Sequence, residues 1–202
     1  CFEKFIKQNY LMFNFNKILK ILISIQIIII STFIPVLISI PFTNEFIKTF
    51  EIPISWQIPS IVIITLIFKR ELVLIAFSIY LFIGIFFLPV FHNGGSIGYL
   101  LTPNFGYLLG TYPLIIFIDR LNKINHKINY YDLLKYGFLG ICSLHFVGIF
   151  YNLIQILLFR QPDMFFYVIS KYSLGKIGYH LFMLIPIFLL NKLIKSNYIF
   201  KK

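Results

Sequence analysis

Six long runs of apolar residues, separated by short polar breaks, decide which folds are open to this chain. They are Ile21–Phe42, Ile52–Phe68, Leu72–Phe91, Ile97–Ile118, Leu133–Phe159 and Ile177–Ile194. A helix that crosses the hydrocarbon core of a bilayer needs about 20 such residues, within a range of roughly 17–25. The second and sixth runs sit at the short end of that range, and the others meet it. A transmembrane β-barrel would instead alternate apolar and polar residues over segments of about 10, and these runs are continuous. With 59% hydrophobic and 12% charged residues, the chain also differs from a soluble domain, where about a quarter of residues carry charge. No repeat or low-complexity linker divides it. The expectation is an all-α, polytopic membrane protein: residues 1–202 as one integral membrane domain with six transmembrane helices.

The basic residues orient those helices. With the N-terminus in the cytoplasm, the inner segments hold Lys4, Lys7, Lys17, Lys20, Lys69, Arg70, Arg120, Lys123, Lys127, Lys135, Lys192, Lys195, Lys201 and Lys202. The outer segments hold Lys48, Arg160, Lys171 and Lys176. A split of 14 against 4 among the 18 Lys and Arg follows the positive-inside rule and puts both termini in the cytoplasm. It also accounts for the net charge of +11 without nucleic acid as a partner. Three connecting loops then fall outside: Thr43–Gln57, His92–Gly98 and Arg160–Lys176.

One of these loops belongs to a stretch that a membrane helix tolerates poorly. Residues 89–110 contain five glycines and two prolines, and each Gly costs a helix about 1 kcal/mol relative to Ala, each Pro about 3. Irregular backbone at membrane depth survives where it is buried in protein or lines a cavity. A polar and aromatic pocket opening to the outer face is therefore expected here. Asn93-Gly94-Gly95 is turn chemistry with positive φ. Pro103-Asn104-Phe105-Gly106-Tyr107 reads as a helix start whose free N–H groups suit a carboxylate or another polar acceptor.

Other polar residues carry two readings each. In Ile52-Pro-Ile-Ser-Trp-Gln-Ile-Pro59, Pro53 fits a first helical turn, while Pro59 kinks or delays the helix. Trp56 suits the membrane interface, and Gln57 either shares that anchoring or points a carboxamide into the pocket. His145, Gly148, Asn152 and Gln155 recur at steps of three or four and share one helix face. Asn152 and Gln155 either serve helix packing or complete the pocket, and the deeper His145 reads as packed and hydrogen-bonded. Lys176 and His180 stand one turn apart at the start of the last run, where Lys176 either snorkels or awaits a ligand carboxylate.

Catalytic chemistry has little to work with. No His-Glu-x-x-His, Gly-x-Ser-x-Gly or Walker sequence occurs, and no Cys/His cluster has metal-ligand spacing. The chain is expected to be no enzyme, with no catalytic residue, no metal and no cofactor. Asp and Glu are absent from the interiors of the runs, which argues against a proton- or sodium-coupled pump. Cys1 and Cys142 define no disulfide framework. Heavy use of Ile, Phe, Lys, Asn and Tyr fits AT-rich coding, as in reduced bacterial or organellar genomes.

Between about Ile52 and Gly110 the chain resembles the BioY family, the biotin-specific substrate-capture (S) components of energy-coupling-factor (ECF) transporters. The family's Pro-x-Thr/Ser-x-Gln is similar to Pro53, Ser55 and Gln57. Its Tyr and Gly in the third span correspond to Tyr80 and Gly84. Its Pro-Val-Phe with glycines corresponds to Pro89, Val90, Phe91, Gly94, Gly95 and Gly98, and its Gly-Pro-Thr-Gly-Gly-Tyr-x-x-Gly to Pro103, Gly106, Tyr107 and Gly110. Phe87 replaces a family glycine, and Asn104 and Phe105 stand where Thr and Gly are usual. The family's Asp and Lys at the last span have no counterpart near Gly178–Leu181, where Lys176, Tyr179 and His180 are the local substitutes. In the first span, Ser24, Ser31 and Thr32 stand in for the small-xxx-small Ala pattern by which such subunits dock on a transmembrane partner.

The resemblance implies a biotin-binding subunit that takes up the vitamin from the outer face of a bacterial plasma membrane, or of an organellar one. Its partners would be membrane lipid, a transmembrane coupling subunit and ATPase subunits. The implied ligand site gathers Gln57, Tyr80, Asn93, Gly94, Gly98, Asn104, Tyr107, Asn152, Gln155, Lys176, Tyr179 and His180. In it the ureido ring meets Gln57, Asn93 and Asn152, the apolar part meets Tyr107, and the carboxylate meets backbone amides or Lys176. The alternatives are an S component for a different small vitamin and a ligand-free membrane assembly or scaffold protein.

Overall fold

The structure, a computed structural model, describes residues 2–41, 47–124, 129–160 and 162–196. The first part of the Thr43–Gln57 loop, together with Lys127, Lys201 and Lys202, lies outside them.

Helix α1 (Phe2–Phe33) stops just before Ile34-Pro35. Pro35 supplies no N–H, and the residue before a proline is held extended, so the first apolar run changes conformation midway. Its remainder, β1 (Pro35–Pro41), pairs antiparallel with β2 (Ile47–Ser55), in register from Val36 opposite Ile52 to Pro41 opposite Ile47. The register shifts between Pro35, opposite Ser55, and Val36. Pro53 and Ile54 therefore occupy a bulge, a position where proline forfeits no ladder hydrogen bond. This hairpin corrects two expectations: Ile34–Pro41 is not helix, and Pro53 is not in a first helical turn. Branched residues in a short apolar run suit a strand as well as a helix, and pairing with 47–55 decides the matter. Among the described residues a largely helical chain thus carries one two-stranded sheet.

Helix α2 (Gln57–Ile67) then starts at Gln57, with Pro59 in its first turn, where no N–H is needed. Helix α3 (Arg70–Phe86) follows after a two-residue turn. A loop and a single 3₁₀ turn (Ile97–Leu101) lead to α4 (Pro103–Leu109), which begins at Pro103 as expected. Gly110 joins α4 to α5 (Thr111–Asp119). Helix α6 (Tyr130–Phe159) is unbroken over 30 residues. Its N-terminus is capped reciprocally, the Asn129 side chain accepting from Asp132 N at 2.7 Å and the Asp132 carboxylate from Asn129 N at 3.5 Å.

Helix α7 (Met164–Ile169), a π turn (Ser170–Leu174), α8 (Gly175–Phe182) and α9 (Leu184–Ser196) follow. The loop expected over Arg160–Lys176 is therefore largely helical. No Gly or Pro interrupts Met164–Leu174, and Met-Phe-Phe-Tyr-Val-Ile supplies apolar surface to pack.

Three helical stretches among the described residues are long and apolar enough to cross a membrane: Phe15–Phe33, Tyr130–Phe159 and Met164–Leu190. The expected second, third and fourth spans are shorter, with 11 residues in α2, 17 in α3 and a break at Gly110 between α4 and α5. The chain is a membrane protein, and large side chains such as Phe146, Leu158 and Phe166 cover its outside.

One core cluster packs Ile28, Ile61, Phe77, Tyr80 and Phe91 among α1, α2, α3 and the following loop. A second packs Leu114, Ile118, Leu133, Leu144 and Leu184 among α5, α6 and α9. A third, small one fixes the hairpin through Val36, Ile52, Ile54 and Met183. At one end of the bundle Asp119 pairs with Arg70 at 3.8 Å and Lys123 at 3.9 Å, and Asn122 donates to the Thr65 carbonyl at 2.8 Å. The hairpin, the loop after α3 and α7–α8 gather at the other end. Ser24, Ser31 and Thr32 are buried and donate to carbonyls one turn back in α1, so they face the bundle rather than an outside partner.

Candidate ligand-binding site

A cavity of about 490 Å³ lies at the hairpin end, bounded by β2, the loop after α3, the start of α2, α4, and α7–α8. The loop owes its shape to a few residues. Phe91 and Gly94 exchange backbone hydrogen bonds of 2.9 and 3.1 Å, closing a tight turn around His92 and Asn93. Asn93 (φ 69°) and Gly94 (φ 128°) both take positive φ, and Ser96 (φ 104°) takes it in place of Gly95. The far end of the Phe91 ring abuts Gly84, where any Cβ would collide with it, and the ring contacts Tyr80 and Tyr99 with centroids 5.3 and 4.6 Å apart. The loop folds back onto the end of α3, held by Ser96 N donating to the Gly84 carbonyl at 2.9 Å. His92 and Asn93 are thereby carried to the cavity wall.

The opposite wall depends on the close approach of α4 to α6. Tyr151 of α6 packs against Gly106, Tyr107 of α4 packs against Gly148, and the Leu144 backbone abuts Gly110. These small positions fix the ring of Tyr107, which lines the cavity. Tyr107 Oη lies 2.7 Å from Ser173 Oγ, in the π turn. His145 reaches Ser173 through Nδ1 (3.3 Å) and His180 through Nε2 (3.2 Å). His145 is thus buried and hydrogen-bonded, as expected.

Gln57 lines the cavity as well, its amide nitrogen donating to Tyr80 Oη at 2.9 Å. That bond leaves the Gln57 carbonyl oxygen for a ligand donor. Tyr80 is fully buried behind Gln57 and donates to the Val90 carbonyl at 3.4 Å, so it supports the wall without forming it. On α7–α8, Lys171 and Lys176 stand 5.6 and 5.3 Å from the centroid of Tyr172, and all three residues line the cavity. Two ammonium groups around one electron-rich ring make this wall cationic, and Glu51 of β2 also lines the cavity.

Of the residues expected at the site, Gln57, Asn93, Asn104, Tyr107, Lys176 and His180 come together around the cavity. Gly94 shapes the turn and Gly98 lies in the 3₁₀ turn, and neither lines the cavity. Asn152 donates to the Pro103 and Gly148 carbonyls at 3.1 and 2.7 Å, and Gln155 to the Leu100 carbonyl at 3.0 Å. Both brace α6 against the turn before α4, which is the packing half of their double reading. Tyr179 is half-exposed on another face of α8. Residues 51–55 of β2, Tyr99, Lys171 and Tyr172 line the cavity without having been expected there. Ser173, behind the wall, was likewise missed. Tyr172 and Lys171, adjacent to one another and a few residues before Lys176, were the one local signal available.

The fold and the site together define a helical membrane protein with a cavity bordered by a hairpin and a glycine loop. The chain belongs to the BioY family, whose sequence model matches residues 7–196. Among solved structures it is similar to one described as the S-component for biotin from an ECF-type ABC transporter. The TM-score is 0.59 at 20% sequence identity, covering 89% of this chain and 92% of that chain. That likeness establishes the shared fold. No curated protein sequence matches the chain.

Proposed function

We propose that this chain is the biotin-capturing S component of an ECF-type transporter, a binding subunit rather than an enzyme. The observation that carries the reading is the cavity, in a chain of the BioY family, where amide, aromatic and cationic side chains converge. Its volume of about 490 Å³ falls within the roughly 300–1,000 Å³ usual for small-ligand pockets. Biotin has three parts to satisfy. The Gln57 carbonyl oxygen, Asn93 and the polar ends of Tyr107 and His180 suit the ureido N–H and C=O groups, the rings of Tyr107 and Tyr172 with Leu108 suit the thioether ring and valerate chain, and Lys176 with Lys171 suits the carboxylate.

The wider setting belongs to the same proposal. Six membrane passages, with α2, α3 and α4–α5 as short ones, place both termini in the cytoplasm and the cavity on the outer face. The 14-to-4 division of basic residues supports that orientation. The membrane is bacterial or organellar, and transport draws on a coupling subunit and ATPases contributed by other chains. Titration calorimetry of the purified chain in detergent with biotin tests the reading. Saturable one-site binding is expected. Absence of both binding heat and thermal stabilisation would overturn it, and stabilisation by another vitamin alone would reassign the ligand.

A further inference from the structure

Tyr107, Ser173, His145 and His180 form one hydrogen-bonded chain whose two end members both line the cavity. Its links measure 2.7, 3.3 and 3.2 Å in that order. The middle members, Ser173 and His145, are each 3% exposed. At the far end His180 uses Nδ1, and among the described residues no hydrogen bond engages its Nε2.

A neutral imidazole has one N–H and one acceptor nitrogen, and a hydroxyl donates once. A hydroxyl can also accept twice, but Ser173 is buried and among the described residues its Oγ meets only Tyr107 and His145, so accepting from both would leave its own proton without an acceptor; two proton arrangements use every group. In the first, Tyr107 donates to Ser173, Ser173 to His145 Nδ1, and His145 Nε2 to His180 Nδ1. His180 Nε2 then carries an N–H, and Tyr107 Oη can only accept. In the second every bond is reversed, so that Tyr107 has a free O–H and His180 Nε2 is a bare acceptor. One end donates and the other accepts in either case.

We infer that this chain orients a urea- or amide-like group: Ser173 and His145 couple Tyr107 to His180 so that the cavity presents one donor together with one acceptor. The inference rests on the function proposed above and names the residues that read the ureido ring. A cyclic urea carries N–H donors beside a carbonyl acceptor and satisfies both arrangements. A guanidinium has donors alone and a carboxylate acceptors alone, so each leaves one end of the chain unmatched in a buried wall. Ser173 and His145 act through Tyr107 and His180 and are positioning residues.

The test is the ratio of dissociation constants for biotin and 2-iminobiotin, measured calorimetrically on the full chain at neutral pH. In 2-iminobiotin a protonated guanidine, which only donates, replaces the urea. The wild type should favour biotin, and Ser173→Ala should narrow that preference about tenfold, the worth of roughly one buried hydrogen bond. Ser173→Thr, which keeps the hydroxyl, should restore it. His145→Phe keeps a ring against Tyr107 and cuts the chain at its other joint, so it should narrow the ratio to the same extent. A purely structural role would weaken both ligands equally. An unchanged ratio in both Ser173→Ala and His145→Phe, with biotin still bound, would overturn this inference alone. A wild type that binds neither compound would overturn the proposed function along with it.

Discussion

Helix α6 and the stretch Met164–Leu190 are alike in length and apolarity, with 30 and 27 residues and mean hydropathies of 1.8 and 1.6. Their contributions to the cavity differ. Helix α6 is capped, continuous and studded with glycines that admit α4, α5 and α9, and of its residues Leu144 alone lines the cavity. Met164–Leu190 is interrupted by a π turn and contributes Lys171, Tyr172, Lys176 and His180. Local widening of a helix redirects side chains and recurs at functional sites. The comparison separates a post that holds the bundle from a wall that is bent to present chemistry, and it implies that damage to each should read out differently.

Breaking the post should have the largest effect. Gly110→Leu would drive a side chain into the Leu144 backbone, which cannot yield as a flexible side chain would. Overpacking of this kind costs about 3 kcal/mol and should lower the thermal midpoint by roughly 6–12 °C, with biotin binding lost as well. A midpoint within a degree of wild type would contradict the packing described. Altering the wall should instead spare the fold. Lys176→Met should weaken biotin by roughly 10- to 100-fold, as befits a lost charged hydrogen bond, while the melting point of the free protein holds. Equal affinity in that variant would remove Lys176 from the ligand.

The smallest effect sharpens the contrast. Asn129→Ala removes the α6 cap at the end of the bundle away from the cavity. It should cost about 1 kcal/mol and lower the midpoint by roughly 2–4 °C. Biotin affinity should not change, and a weakened Kd would mean that post and wall are not separable.

Much of the post was legible in the sequence, and less of the wall. The run Leu133–Phe159 falls entirely within α6, and Pro103 marks the start of α4 because a proline at the first helical position leaves a local trace. Asn93-Gly94 also announced its turn. The hairpin gave no comparable signal: Pro35–Pro41 reads as strand only once its distant partner Ile47–Ser55 is in place. Ser173 sits in a π turn that no local pattern marks, and His145 meets His180 across 35 positions of sequence. The spacing of Asn152 and Gln155 correctly put them on one face of α6, yet that face meets the turn before α4. Periodicity reports which side of a helix is polar and leaves open what stands opposite.

A structure determined with biotin present tests the central claim most directly. The account predicts density for one biotin in the cavity bounded by Gln57, Tyr107, Lys176 and His180, beneath the Ile47–Ser55 strand. Biotin bound at any other place on the chain, with that cavity filled by side chains, would contradict it.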